Sequence, residues 1–185
     1  SITSFGVFKN AGRTTAPYYG SVNATLKYKQ FSLYAFLTYQ FGSVFLRPTT
    51  TYYITSMYTA RYDMSADIAK RWKAAGDEAS TNVPGLTGTS TAVNYSLYRY
   101  QNSDINVLSG DYIRLRQVSL KYQIDNSLLT KCHLRSAEVG LAINNLGLLW
   151  TANKEGYDPD YVASLGSTYG LPAATSYALS LAVNF

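Results

Sequence analysis

Apolar and polar side chains alternate with a period of two along several stretches of this chain. The last ten residues give the cleanest case, with Tyr177, Leu179, Leu181, Val183 and Phe185 on one side and Ser176, Ala178, Ser180, Ala182 and Asn184 on the other. Strict alternation of this kind predicts a β-strand with one apolar face. Gly20–Lys29 repeats it with Val22, Ala24, Leu26 and Tyr28, and Gln30–Phe41 with Phe31, Leu33, Ala35, Leu37, Tyr39 and Phe41. Ser136–Leu146 sets Ala137, Val139, Leu141 and Ile143 against Glu138, Gly140, Ala142 and Asn144. A fifth stretch, Asp111–Gln123, changes phase: Ile113 and Leu115 share one parity, Val118, Leu120 and Tyr122 the other. A bulge near Arg116–Gln117 adds one residue to the count and returns both halves to the same face.

Strand length separates two all-β architectures. Strands of about eleven residues, tilted by about 45°, reach across the ~25 Å apolar band of an outer-membrane barrel. A soluble β-sandwich alternates in the same way, but its usual strand is about five or six residues. The fold class expected is therefore all-β: an antiparallel transmembrane β-barrel segment with strands at about 19–29, 30–42, 110–123, 136–146 and 176–185. The connections alternate between short and long, as in barrels with short periplasmic turns and long extracellular loops. That places 1–18, 43–109 and 147–175 outside, and the turn 124–135 and the C-terminus in the periplasm. Single-chain bacterial barrels begin at about eight strands, and an open sheet in lipid leaves unpaired backbone groups. Further strands are accordingly expected upstream of Ser1, where the missing secretion signal also predicts a processed or cut start.

Composition narrows the alternatives. Tyrosine supplies 18 of the 185 residues, and its apolar ring with a polar tip suits strands and membrane interfaces. No apolar run is long enough for a membrane-spanning helix. The net charge of +5 comes from scattered Lys and Arg, whereas nucleic-acid binding calls for a concentrated basic face. The single cysteine, Cys132, excludes an internal disulfide framework.

The order of features resembles the C-terminal end of SusC/RagA-type TonB-dependent outer-membrane transporters of Bacteroidetes. The matching stretches are Ala16–Gly20 (APYYG), Ala69–Glu78 (AKRWKAAGDE), Asn82–Pro84, Gly110–Tyr122 (GDYIRLRQVSLKY), Asn144–Leu146, Gly156–Asp160 (GYDPD) and a last strand ending in Phe185. The resemblance implies a twenty-two-stranded barrel with an N-terminal plug. It also implies a SusD-like surface lipoprotein, energy from TonB, and import of oligosaccharides or peptides. The plug and the TonB-contacting stretch are expected outside this sequence.

Candidate site residues lie in the loops. Trp72, with Arg71 and Lys73 beside it and Asp63, Asp67, Asp77 and Glu78 nearby, sits in the first long loop. There Ser65–Trp72 predicts a short helix with Ile68 and Trp72 on one face. Trp72 offers a ring to a sugar or a partner lipoprotein, but it equally suits anchoring its own loop. Tyr157 opens a turn with Asp158, Pro159 and Asp160, where too few oxygens are gathered for calcium. Phe185 resembles the terminal aromatic read by the barrel-assembly machinery, and it equally suits a lipid-facing interfacial ring. Cys132 and His133, in a predicted helical turn at Ser127–His133, are neighbours whose side chains diverge, so they make no nucleophile and base. No catalytic, metal or cofactor motif appears.

Two other readings remain open on sequence: a structural or adhesive barrel without a transport cycle, and a soluble carbohydrate-binding β-sandwich. A plug upstream excludes the first, and a need for detergent excludes the second.

Overall fold

The computed structural model describes residues 9–49, 65–86, 90–125, 129, 134–162 and 169–185. Among the described residues there are seven strands: β1 (Tyr18–Tyr28), β2 (Phe31–Phe41), β3 (Val44–Leu46), β4 (Val107–Ser109), β5 (Tyr112–Gln123), β6 (Ser136–Thr151) and β7 (Ser176–Asn184). An α-helix, α1, spans Ser90–Gln101. No described helix is long and apolar enough to cross a membrane, which leaves strands free to do so. The chain forms two compact units. One is the large sheet, built from Ala16–Gly42, Gly110–Lys154 and Leu171–Phe185. The other gathers Ser1–Thr15, Ser43–Ser109 and Glu155–Gly170.

The sheet unit has five strands in the order β1-β2-β5-β6-β7, with every neighbouring pair antiparallel. β1 and β2 pair without interruption from Tyr18↔Phe41 to Tyr28↔Phe31. Their two-residue turn holds Lys29 at φ +51°, a left-handed conformation that costs a side-chain-bearing residue roughly 1–2 kcal/mol. The Gln123 N–H donates to the Gln30 carbonyl at 2.9 Å and secures β5 beside the same turn.

The bulge sits where the phase change in the sequence requires it. Phe36 pairs with Gln117 and Leu37 with Leu115, so Arg116 is the extra residue. Val118 then faces Ala35 and Leu120 faces Leu33, while Leu115 faces Leu37 and Ile113 faces Tyr39. Both halves of β5 present their apolar side chains to one face. The Arg116 guanidinium turns back to donate from Nε to Thr38 Oγ1 at 3.0 Å.

β6 corrects an expectation. It runs to Thr151 rather than stopping at Leu146, so the following connection starts later than 147. Alternation alone misses the extension because the register shifts twice, between Leu115/Gln117 and between Ile113/Arg114 of β5. Asn145 takes a φ of +56° there and Gly147 one of +108°. Asparagine tolerates the left-handed region better than most side chains do. Asn145 also pins the entry to β7, its Nδ2 donating to the Ala174 carbonyl and its carbonyl accepting from Thr175 Oγ1.

The loop-derived unit has its own short ladder, β3 against β4, with Val44↔Ser109 and Leu46↔Val107. α1 falls in a stretch expected to be loop. It buries Val93, Leu97 and Tyr100, spaced i, i+4 and i+7, and exposes Tyr95 and Tyr98, the pattern of an amphipathic helix. The helix expected over Ser65–Trp72 is shorter. A 3₁₀ turn covers Ala66–Lys70, with Ser65 Oγ accepting from the Asp67 N–H at its start. Arg71 is extended, so Trp72 lies beyond the turn and shares no helical face with Ile68. Asp63, Cys132, His133 and most of the predicted Ser127–His133 turn lie outside the described residues.

Candidate functional site

Two surfaces of the sheet unit differ in chemistry. On one, a row of leucines crosses all five strands through direct pairs: Leu26, Leu33, Leu120, Leu141 and Leu179. These five side chains are 41% to 80% exposed. A contiguous apolar sheet face of this size is uncommon on a protein surrounded by water. The next row, Ala24, Ala35, Val118, Ile143 and Tyr177, is apolar as well.

Aromatic rings border this face at both ends. Tyr28, Phe31 and Tyr122 pair across the strands at the short-turn end, with Phe31 and Tyr122 at a 4.8 Å centroid separation. Tyr18, Tyr39, Phe41 and Trp150 border the other end, with Phe41 6.2 Å from Trp150. Tyr18 and Tyr28 are the end residues of β1. They lie ~34 Å apart along the strand and ~24 Å apart across a membrane at a ~45° tilt. That separation fits the ~25 Å apolar band between the girdles of a transmembrane barrel.

The opposite face is mainly polar, with Asn23, Thr25, Lys27, Thr38, Gln117, Ser119, Lys121 and Glu138, and carries two rings of β2, Tyr34 and Phe36. Lys121 and Glu138 form an ion pair there at 2.9 Å. Towards β6 and β7 the side chains become small, and Gly140 allows Ser180 to sit where a Cβ would come within 2.6 Å of its hydroxyl.

In the loop-derived unit, Arg47 organises a polar cluster. It follows β3, and its N–H donates to the carbonyl of Asn106, which precedes β4. The guanidinium meets both oxygens of Asp67, at 3.2 Å from Nη1 and 3.1 Å from Nη2. Its Nε donates to Asn106 Oδ1 at 2.8 Å, and Nη2 donates to the Tyr100 hydroxyl at 2.7 Å. Tyr100 in turn donates to Asp67 Oδ2 at 3.0 Å, and Asn106 Nδ2 to the Tyr100 carbonyl. Three elements (the β3–β4 ladder, the 3₁₀ turn and α1) are thereby tied to one cation. A two-pronged pair of this kind is the strong form of an arginine–carboxylate contact.

Electrostatics follow from that packing. Burial works against the charge on Arg47, but its hydrogen bonds and attraction to Asp67 prevail and hold its pKa above the ordinary value. Burial, aided by the charge of Asp67, pushes Tyr100 up to about 12 against the opposing effect of Arg47. Over this cluster lies a cleft of about 700 Å³, also lined by Lys70, Asn82, Glu155 and Tyr157.

Each predicted site residue has a definite place. The Trp72 indole N–H donates to Glu78 Oε2 at 3.0 Å, and its backbone N–H to the Val83 carbonyl at 2.9 Å. Its ring lies against Gly85, where a Cβ would be 2.8 Å from Cε3. Arg71 Nη1 donates to the carbonyl of Ile68 and closes the 3₁₀ turn. Trp72 and Arg71 are therefore engaged within their own loop, and neither lines the cleft. Tyr157 does line it, its hydroxyl donating to the Pro48 carbonyl at 3.3 Å and its ring edge-on to Tyr169 at 5.7 Å. Burial raises its pKa first, and the surrounding charges modify that effect. Asp158 caps the following 3₁₀ turn, Pro159–Tyr161, by accepting from the Asp160 N–H. Phe185 follows β7 and is 83% exposed. Sequence reasoning missed the Arg47–Asp67–Tyr100–Asn106 cluster. Only the helical spacing of Val93, Leu97 and Tyr100 could have signalled part of it.

An antiparallel sheet with a lipid-compatible face, two aromatic borders and a polar reverse has the build of an arc of a transmembrane β-barrel. Comparison with solved structures agrees: the chain has the fold of a segment of the RagAB peptide importer. Against its "closed-closed" state the TM-score is 0.64 at 22% identity, covering 93% of this chain and 18% of that one. Against the "open-open" state the values are 0.60, 18%, 93% and 17%. A further RagAB transporter structure gives 0.56 at 18% identity over 89% of this chain. The chain thus spans less than a fifth of the length of the proteins it matches. No protein-family model and no curated protein matches the sequence.

Proposed function

We propose that this chain is the C-terminal wall and loop segment of a TonB-dependent outer-membrane importer of the SusC/RagA type. The observation that carries the reading is the exposed leucine row between two aromatic borders, backed by a polar face. In this reading the apolar face meets lipid and the polar face the barrel interior. The short turns and the C-terminus lie in the periplasm, and Phe185 serves the assembly machinery. The long connections 42–111 and 152–175 form the extracellular loops, and the loop-derived unit shapes the entrance under a SusD-like surface lipoprotein. Likeness to a peptide importer favours peptides over oligosaccharides as cargo. Among the candidate residues, Tyr157 is the one we assign to substrate or partner contact, with Arg71 and Trp72 bracing the loop beside it.

The test begins with the native polypeptide that carries these residues, extracted from membranes in detergent. The expected species has a mass several times the 20.4 kDa of this chain, travels with a lipoprotein, and supports TonB-dependent uptake of labelled peptides. A 20.4 kDa species that is soluble without detergent overturns the reading.

A further inference from the structure

The short-turn border of the apolar face carries a cation beside its rings. At the long-connection end the face is bordered by Tyr18, Tyr39, Phe41 and Trp150, and the arginine there, Arg114, lies over Tyr112, which pairs with Gln40 of the polar face. At the short-turn end Lys29 stands between Tyr28 and Phe31, and its ammonium lies 5.5 Å from the centroid of the Tyr28 ring. Phe31 leans on Tyr122 at 4.8 Å, so the cation borders a continuous aromatic shelf. Arg135, one residue before β6, is exposed at the same end, its N–H held by the Asn184 carbonyl.

The backbone makes the choice of lysine informative. Lys29 occupies the left-handed region, which glycine or asparagine would adopt with less strain. Nothing in the turn's hydrogen bonding requires an ammonium. An aromatic shelf with a cation at its outer edge has the chemistry of a membrane interface, where rings lie at headgroup level and ammonium groups meet phosphate.

We propose that Lys29, with Tyr28, Phe31 and Tyr122, holds the headgroup of an anionic phospholipid at the short-turn end of the sheet. The inference rests on the membrane-barrel reading and adds a lipid preference and a position to it. One surface cation changes affinity for an anionic headgroup by about fivefold, and added salt weakens that preference.

The experiment uses the full-length barrel in neutral detergent, with 3-fluorotyrosine at position 28 observed by fluorine NMR. Short-chain phosphatidylglycerol, short-chain phosphatidylcholine and inorganic phosphate are titrated separately. Phosphatidylglycerol should move the resonance at about fivefold lower concentration than phosphatidylcholine, and phosphate alone should leave it in place. Lys29→Gly relaxes the turn and should erase the difference while preserving the response to both lipids. Equal response of the unaltered protein to the two lipids, or an unchanged preference in Lys29→Gly, overturns the proposal and leaves the membrane reading intact. A response to phosphate alone overturns the lipid assignment. Silence towards every lipid overturns this proposal, whereas solubility of the native polypeptide without detergent overturns the membrane reading.

Discussion

Arginine placed at successive positions of β5 tests the apolar face by depth. Tyr122, Leu120 and Val118 point to that face in order, each paired with an apolar partner on β2. From Tyr122 to Val118 is ~14 Å along the strand and ~10 Å of depth at a ~45° tilt, near the middle of a ~25 Å band. Leu120 lies about half as deep. A charge at a barrel's midplane costs about 2–4 kcal/mol, and near the interface about 0–1. Tyr122→Arg should therefore cost at most about 1 kcal/mol of charge burial, and Val118→Arg about 2–4, with Leu120→Arg between them. Ser119→Arg, on the polar face, is the control and should fall near the bottom of the series. The assay is urea unfolding of the full-length barrel refolded into phosphatidylcholine vesicles, comparing midpoints at a common slope. Equal costs at all three depths would refute the reasoning, as would a Ser119→Arg penalty matching that of Val118→Arg.

The loop cluster yields three further tests. Arg47→Met strands Asp67 in a buried position and should destabilise the loop-derived unit by about 3 kcal/mol; faster amide exchange around Val107 in the intact protein would register it. Tyr100 has a folded pKa of about 12 against an ordinary 10, so its contribution is complete below pH 10 and fades as pH rises through 12. The loss is on the order of 2 kcal/mol, and Tyr100→Phe should abolish this alkaline step in exchange or proteolysis profiles. Glu78 is held below the ordinary glutamate range, first by the Trp72 indole and then by backbone N–H groups. Its restraint on Trp72 should be present above that range and disappear as pH falls through the lowered value, shifting the fluorine resonance of 5-fluorotryptophan placed at position 72; Glu78→Ala should show the shifted resonance at neutral pH.

Much of the sheet was legible because its faces meet different surroundings and its alternation is long. Leu26, Leu33, Leu141 and Leu179 could each be assigned from their own strand. β5 was legible once Ile113 and Val118 demanded opposite parity, which only an added residue reconciles. The end of β6 was not, because Asn145 and Gly147 interrupt alternation through backbone angles that a polarity pattern does not encode. α1 was hidden for a different reason. Tyrosines on both its buried and exposed sides, Tyr100 against Tyr95 and Tyr98, blur the contrast that marks an amphipathic helix. The cluster around Arg47 joins residues far apart in sequence, and its members have no mutual spacing to detect. Trp72 attracted attention as an exposed-looking loop aromatic, while its actual partners, Glu78 and Val83, are set by the course of the loop.

The bulge at Arg116 gives β5 something like a reading frame. Its two halves are written out of phase, and Arg116 is the added character that restores the sense. Removing Arg116, or equally Gln117, leaves a single polar residue between Leu115 and Val118 with apolar and polar sides still correct; removing Arg116 also breaks its hydrogen bond to Thr38. Removing Ser119 instead forces the strand to use up the bulge and turns Gln117 towards the leucine row; removing Leu115 brings Arg116 there. Deletion scanning along this strand should find tolerated gaps at Arg116 and Gln117 among costly neighbours, so the length of β5 is specified at that one step rather than shared evenly along it.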